Sequence, residues 1–432
     1  MNKAQKARIK WLLTINIGKR KRIVRIFGIY ILNSNKQSAI NKALNTIKQK
    51  LRRSYYKHYL TSLELSKRNN HKTISAKIDG PFSETSLIAF YLPQYHPIPE
   101  NDQAWGRGFT EWANTTTSVA QFVGHYQPRI PGELGYYDLR IKDIQLRQIE
   151  LAKHHGLSGF CYYYYWFDGK PILDTPINNV LDNKDLDFPF CLCWANENWT
   201  KAWDGADKEV IIRQNHSADD DAAFIKHISP ALQDERYIRI NGNPLLIVYK
   251  PDLLPDPEST AKLWRKIARE SGIGEIHLGM AYTLETSDPA SIGFDSLIQF
   301  PPHRLPVGQK NVTLLNQDYS GKVYDYDETK QCALDQLEIH QHMIPGVMMG
   351  WDNSARRPGK GNVYHGCTPE SYQDWLERAL RHTNANKDSQ RMIFINAWNE
   401  WAEGTYLEPD RRYGYDYLEA TSNAIQRSGH LH

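Results

Sequence analysis

The sequence predicts an α/β fold: a (β/α)8 barrel of the TIM type with a basic, mainly helical N-terminal extension. Three observations carry that expectation. Eight short apolar segments recur after residue 84, amphipathic stretches lie between them, and the charge of the chain divides sharply near residue 80. Alternation of strand and helix implies parallel strands joined by crossover helices. Eight such units in about 340 residues fit a ring that closes on itself.

The arm comes first. The chain has 432 residues and a net charge of +4. Residues 1–80 hold 20 Lys and Arg against only Glu64 and Asp79, a net of +18. The remainder holds 33 of the 53 bases and 47 of the 49 acids, a net of −14. Within the arm, residues 1–83, Trp11, Leu12, Leu13, Ile15 and Ile17 precede Lys19-Arg20-Lys21-Arg22, and a second basic stretch runs from Lys48 to Arg53. Such a segment suits the surface of an anionic membrane, where apolar side chains dip in and Lys or Arg meet head groups. The plainer alternative is a solvated helical extension or a docking arm for a biosynthetic partner. Nucleic acid is disfavoured by the acidic body. The apolar stretch Ile26–Leu32 leads into Asn33-Ser34-Asn35-Lys36 with no small-residue cleavage pattern, so it does not read as a signal peptide. No run reaches the roughly 18 apolar residues of a membrane span, which excludes a polytopic transporter.

The body, residues 84–425, supplies the strands in order: Leu87–Leu92, Gly159–Tyr164, Pro189–Trp194, Leu245–Tyr249, Ile276–Ala281, Ser296–Phe300, Gly346–Trp351 and Met392–Trp398. Helices are expected between them, as in Ile144–His155, where Ile144, Leu146, Ile149, Leu151 and Ala152 recur among charges; Asp219–Leu232 and Thr260–Ser271 read likewise. Strand six and the loop around Lys310–Lys330 carry the weakest pattern. Of five cysteines, Cys161, Cys191 and Cys193 sit in strand-like runs, and Cys332 and Cys367 lie apart. No second Cys/His pair stands at zinc spacing from Cys191 and Cys193. Reduced core thiols imply a cytoplasmic setting, peripheral at the inner membrane if the arm is an anchor.

Reactive groups of such a barrel sit on the loops after the strand C-termini, and unusual residues gather there. Tyr91, Gln94, His96 and Trp112 follow strand one, and Tyr164 ends strand two. Trp194, Asn196, Glu197 and Trp199 follow strand three, and Tyr249 ends strand four. Trp351, Asp352 and Arg356 follow strand seven; Trp398, Asn399, Glu400, Trp401 and Glu403 follow strand eight. Nine of the twelve tryptophans (105, 112, 166, 194, 199, 203, 351, 398 and 401) occupy strand ends or the next loop. Indole faces with Asn, Gln, Asp and Glu between them suit an oligo- or polysaccharide, whose ring stacks while its hydroxyls need fixed donors and acceptors. The alternative is an aromatic cap over the barrel top. Glycosidic chemistry needs one carboxyl to protonate the leaving oxygen and another as base or nucleophile. Glu400 and Glu403 lead, three residues apart, where aromatic walls would raise one pKa. Glu111, Glu197 and Asp352 are further candidates.

Several motifs then resemble one family. They are Tyr91-Leu92-Pro93-Gln94-Tyr95-His96-Pro97, Gly108-Phe109-Thr110-Glu111-Trp112, Gly124-His125-Tyr126-Gln127-Pro128, Trp194-Ala195-Asn196-Glu197-Asn198-Trp199, Arg236-Tyr237-Ile238, and the run from Asn396 to Gly404. Together they resemble the WbsX-type proteins of bacterial O-antigen and capsule biosynthesis, described as glycoside hydrolase family 99-like. The resemblance spans about residues 85–420 and leaves out the arm. It implies a (β/α)8 barrel, no metal and no organic cofactor. Hydrolases of family 99 cleave α-mannosidic bonds within chains and retain configuration. Their E-W-x-E-G motif matches Glu400-Trp401-Ala402-Glu403-Gly404, which implies Glu400 as the base that draws the proton from the sugar 2-hydroxyl. The freed oxygen then forms a 1,2-anhydro sugar, with Glu403 as general acid and then base. Ala402 departs from the aromatic residue or His often found there, which bears on subsite and acceptor. Two other readings stand beside this one. A nucleotide-sugar glycosyltransferase, a label the family often carries, would need a metal-binding D-x-D; Asp219-Asp220-Asp221 and Asp325-Tyr326-Asp327 fit by letter only, and no phosphate-cradling Gly-rich loop is present. A non-catalytic sugar-binding module would keep the tryptophans without needing paired glutamates.

Overall fold

The computed structural model describes residues 84–201, 206–283, 288–340, 342–386 and 390–429, and, within the arm, 14–17, 22–26, 29–32, 45–50, 52–54 and 56–57. It divides into two compact units, Met1–Leu65 and Ser66–His432.

In the first unit, Thr14–Ile17, Arg22–Ile26 and Ile29–Leu32 form an antiparallel three-stranded sheet, and 45–50, 52–54 and 56–57 are helical. The arm expected to be mainly helical therefore contains sheet between residues 14 and 32. The local cause is composition: Thr14, Ile15, Ile17, Ile23, Val24, Ile26, Ile29 and Ile31 are β-branched and fit a pleated surface better than a helix. Lys48, Lys50, Arg52 and Arg53 are exposed. Trp11–Leu13, Lys19–Lys21 and the boundary expected at residue 83 lie outside the described residues.

The second unit is the barrel. Its strands are β1 Ser86–Tyr91, β2 Gly159–Phe167, β3 Phe190–Trp194, β4 Asn243–Val248, β5 His277–Ala281, β6 Ser296–Ile298, β7 Gly346–Met348 and β8 Met392–Asn396. Consecutive strands from β1 to β6 pair in parallel, β7 pairs with β8, and β8 pairs with β1. One parallel bridge, Ile298 to Ile344, joins the last edge and completes the ring. Gly346 makes this closure feasible, since a Cβ there would lie 2.0 Å from the carbonyl oxygen of Gln299. The Gln299 side chain ties the seam, accepting from Gly346 N–H at 3.1 Å and donating to Ala333 O at 2.8 Å.

The crossovers are helices α1 Lys142–His154, α2 Thr175–Asp182, α3 Ala218–Gln233, α4 Pro257–Glu270, α5 Tyr326–Ile339 and α6 Pro369–Ala385; α7 Asp416–Gly429 follows β8. Local chemistry fixes their starts. Ser217 and Asp256 cap the N-termini of α3 and α4, and Thr368 and Ser371 form a reciprocal capping box on α6. Between β5 and β6 the described residues include the 3₁₀ turn Pro289–Ile292. Residues 87–91 of β1 and all of β3 are buried, as strands covered on both faces require. Cys161, Cys191 and Cys193 are buried free thiols in β2 and β3. No described helix is long and apolar enough to cross a membrane.

Candidate active site

A cavity of about 640 Å³ opens where the strands end. Its floor and walls come from Tyr163 and Tyr165 on β2, Glu197 and Trp199 after β3, Tyr249 and Lys250 after β4, Phe300 and His303 after β6, Trp351 and Arg356 after β7, and Glu400 and Glu403 after β8.

The turn after β8 is built to hold its two carboxylates. Asn399 imitates a backbone pair with Leu92, accepting from its N–H at 2.7 Å and donating to its carbonyl at 3.0 Å. Tyr95 donates to the Asn399 carbonyl at 2.6 Å. Trp401–Glu403 then makes a 3₁₀ turn, ended by Gly404 in the left-handed region at φ 61°. That glycine is needed twice, because an added Cβ would also meet the Arg129 guanidinium at 2.8 Å. Glu400 and Glu403 leave opposite ends of this turn and meet on one cation. Arg356 donates from Nη2 to Glu400 at 3.0 Å, from Nη1 to Glu403 at 2.6 Å and from Nε to Glu111 at 2.9 Å. Trp351 Nε1 donates to the other oxygen of Glu403 at 3.1 Å.

Exposure separates the pair: 25% of the Glu403 side chain is accessible and only 6% of Glu400. Burial pushes the Glu400 carboxyl up to about 8; Glu403 and Glu111 add to the rise and Arg356 opposes it. Across the cavity, Lys250 is ion-paired with Glu197. His303 accepts or donates to Tyr249 OH at 3.0 Å, and burial with the Lys250 charge holds it down to about 4. His303 is therefore neutral near pH 7.

Behind the turn sits another buried carboxylate, Glu408. It accepts from Trp401 Nε1 at 2.6 Å, Tyr137 OH at 2.8 Å and Gln148 Nε2 at 2.6 Å, and burial pushes it up to about 7. A second support lies under the loop after β7. Asp352 meets His125 Nε2 at 2.7 Å and Gln127 Nε2 at 2.8 Å, with Arg129 at 3.7 Å. Burial opposes its ionisation, but His125 and Arg129 hold it well below the ordinary carboxylate range. His125 Nδ1 accepts from Gln121 N–H, which leaves its Nε2 to donate to Asp352.

The residues expected at the site divide into two groups. Gln94, Glu197, Trp199, Tyr249, Trp351, Arg356, Glu400 and Glu403 line the cavity. Tyr91, His96, Trp112, Tyr164, Trp194, Asn196, Asp352, Trp398, Asn399 and Trp401 do not line it, and most are engaged elsewhere. Tyr91 turns outward to Gln148 on α1, at 2.7 Å. Tyr164 and Trp194 face Phe224 on α3, with centroids 6.2 and 4.5 Å away. Trp398 packs on Phe160, and Trp112 packs on Tyr95 and donates to Tyr137 O at 2.8 Å. His96 is buried in the loop after β1. Asn196 braces the backbone of Lys250 through two hydrogen bonds of 2.7 and 2.9 Å. Asp352, Asn399 and Trp401 serve the supports just described. The tryptophan concentration is thus mainly packing of the barrel top, with Trp199 and Trp351 reaching the cavity; Trp203 lies outside the described residues.

Strand alternation also puts Tyr163 and Tyr165, rather than Tyr164, on the cavity side. Lys250, Asn198 and Asn353, strand-end residues not placed among the site candidates, also line the cavity, as do Phe300 and His303, which the sequence did not single out. Neither acidic triplet is free to serve as a metal motif: Asp220 accepts from Trp166 Nε1 and Gly169 N–H, Asp221 from Thr260, and Asp325 caps α5. Among the described residues no group of three or more His, Cys, Asp or Glu is placed to hold a metal ion.

With this geometry in hand, similarity to known proteins can be placed on it. The family described as Glycosyltransferase WbsX matches the chain over residues 87–421. A protein of Xanthomonas campestris pv. campestris strain B100, described as "Uncharacterized protein WxcX", is 49% identical over 347 residues, 79% of this chain and 50% of that protein. Its counterpart in strain ATCC 33913 matches to the same extent. The chain spans about half the length of the curated relatives it matches. Among solved structures, the GH99 endo-alpha-mannosidase from Bacteroides thetaiotaomicron has a TM-score of 0.50 at 16% identity, covering 79% of this chain and 97% of that one. A structure described as a glycoside hydrolase-like protein has a TM-score of 0.52 at 13% identity, covering 83% and 99%. At these identities the two structures speak for the barrel fold alone.

Proposed function

The chain belongs to the WbsX glycosyltransferase family, and we propose that it is a carbohydrate-active enzyme of bacterial surface-polysaccharide synthesis. In this reading it cleaves or transfers an α-mannoside-like bond with retention, through a 1,2-anhydro sugar. Glu400 as carboxylate takes the proton of the 2-hydroxyl, and O2 attacks C1 as the bond from C1 to the leaving oxygen breaks. Glu403 gives its proton to that oxygen. In the second half Glu403 takes a proton from water or an acceptor hydroxyl, whose oxygen attacks C1. The C1–O2 bond opens, and Glu400 returns its proton to O2. Two inversions at C1 give net retention.

The observation that carries this reading is the unequal burial of two carboxylates on one guanidinium. Glu403, the more accessible, suits exchange with leaving group and acceptor; Glu400, enclosed, suits the internal transfer at O2. The sugar class in this reading comes from the match of Glu400-Trp401-Ala402-Glu403-Gly404 to the E-W-x-E-G motif of family 99. Transfer from a nucleotide sugar is the second reading, favoured by the family's own description. Against it, Lys250 and Arg356, the Lys and Arg among the described lining residues, are already engaged by carboxylates rather than set out for a diphosphate. The test is Glu403→Gln assayed on defined α-mannosides without nucleotide. The proposal expects sugar release or transfer by the wild type and a loss of about 10²-fold or more in the variant. Product that forms only with nucleotide sugar and divalent metal would overturn it.

For the arm, its net of +18 supports attachment to an anionic membrane surface on the cytoplasmic side. Deleting residues 1–80 is expected to abolish co-sedimentation with anionic vesicles, and unchanged binding would refute the assignment.

A further inference from the structure

Arg356 is shared by three carboxylates from two segments, the turn after β8 and the helix Glu111–Thr117, and only the two on the turn belong to the cavity. Glu111 does not line it. It is fully buried on the short helix Glu111–Thr117, 2.9 Å from Arg356 Nε, and its Oε2 has no hydrogen-bond partner among the described residues. A buried carboxylate with one oxygen left bare costs stability. Glu111 Oε1 also accepts from Asn114 Nδ2 on the same helix at 3.2 Å, and the Glu111 backbone N–H bonds Gln94 O at 3.2 Å.

The proposed reaction makes an unusual demand on Glu400: it must take a proton in the first half and release it in the second. A buried carboxylate alone would stay protonated, while one paired with a guanidinium of its own would stay ionised. Sharing that guanidinium with other anions lies between these limits. We propose that Arg356 and Glu111 are an opposed positioning pair for Glu400: the guanidinium draws it toward the carboxylate form, and Glu111 absorbs part of that charge so that Glu400 can be reprotonated. The proposal rests on Glu400 acting as the base.

The other groups facing Glu400 leave this balance to few players. Tyr95, Tyr163, Tyr165 and Tyr249 are buried phenols held above their ordinary range, hence neutral near pH 7. The charges that act on Glu400 are those of Arg356, Glu403 and Glu111. Removing Glu111 and removing Arg356 must therefore move its titration in opposite directions, which a merely structural role would not do.

The experiment is an infrared pH titration of the full chain, following the carbonyl band of the protonated Glu400 carboxyl, assigned by its disappearance in Glu400→Gln. In Glu111→Gln, a near-isosteric change, the midpoint should fall by about one pH unit or more. In Arg356→Gln it should rise by a similar amount, with Arg356→Lys recovering part of the shift. A midpoint unchanged or raised in Glu111→Gln overturns the proposal, whether or not the Arg356 variants fold. Rate profiles of the same variants separate the two layers of the argument. If the band moves as expected and the alkaline-rising limb of kcat follows, both stand. If the band moves and the limb does not, the positioning pair stands and the base assignment falls.

Discussion

Glu400 and Glu408 follow the same strand, eight residues apart, and both are buried carboxylates raised by burial, to about 8 and about 7. Their partners differ. Glu408 is met by three donors, from Trp401, Tyr137 and Gln148, none of which carries charge or lines the cavity. Glu400 has one charged donor, divided among three acids, and faces the cavity. Burial and a raised pKa therefore do not mark a reactive carboxylate by themselves. A structural one is enclosed by donors that would be orphaned without it. Glu400, the base in the proposed reaction, keeps an open side and a shared counter-charge.

The comparison can be broken most forcefully at Glu408. Glu408→Leu leaves the Trp401, Tyr137 and Gln148 donors unpaired in the interior, and should destabilise the fold by about 3 kcal/mol. Denaturant unfolding would measure it, and kcat of the molecules still folded should stay within a few-fold of wild type. A large kcat loss in a protein of normal stability would move Glu408 into the chemistry.

Two tryptophans sharpen the same contrast between cavity and support. Trp199 lines the cavity, whereas Trp194 stacks on Phe224 against α3. Trp199→Ala should raise KM by about tenfold, equivalent to about 1.4 kcal/mol of lost stacking. Trp194→Phe should leave KM unchanged and cost about 1–2 kcal/mol of stability.

The last test concerns Glu400 itself. Its folded value, about 8, lies above the ordinary 4.5, so the folded state holds this proton more tightly than the unfolded chain. The associated stability is complete below the unfolded pKa and is lost as pH rises through the window from 4.5 to 8. Gln cannot ionise and escapes that loss. Glu400→Gln should therefore gain stability on the wild type as pH rises through this window, in melts compared at pH 5 and pH 8. A constant difference would contradict the raised value.

The eight strands were legible because their apolar runs are punctuated by loops and separated by helical periodicity. The side on which each residue falls was less so. Strands buried on both faces lose the alternation that fixes phase, so Tyr91, Tyr164 and Trp194 could be placed near the strand ends but not assigned to the outer face. The tryptophans misled for a related reason. A strand-end indole looks the same in sequence whether its N–H meets Glu408, as in Trp401, or Glu403, as in Trp351. Partners far apart in the chain were beyond local reading: His125 and Gln127 with Asp352, and Glu111 with Arg356, are more than 200 residues apart. Arg356 was expected to meet substrate and instead also organises the acids. The motif Glu400-Trp401-Ala402-Glu403-Gly404 was readable because its spacing is local and its glycine is conformationally required.

The most direct test of the account is NMR observation of the anomeric proton during turnover of a defined α-mannoside, without nucleotide, by the wild-type chain. The account predicts that the first product formed is the α-anomer, with mutarotation following, and that Glu403→Gln forms none. A β-anomer as first product, or no turnover until a nucleotide sugar is added, would contradict it.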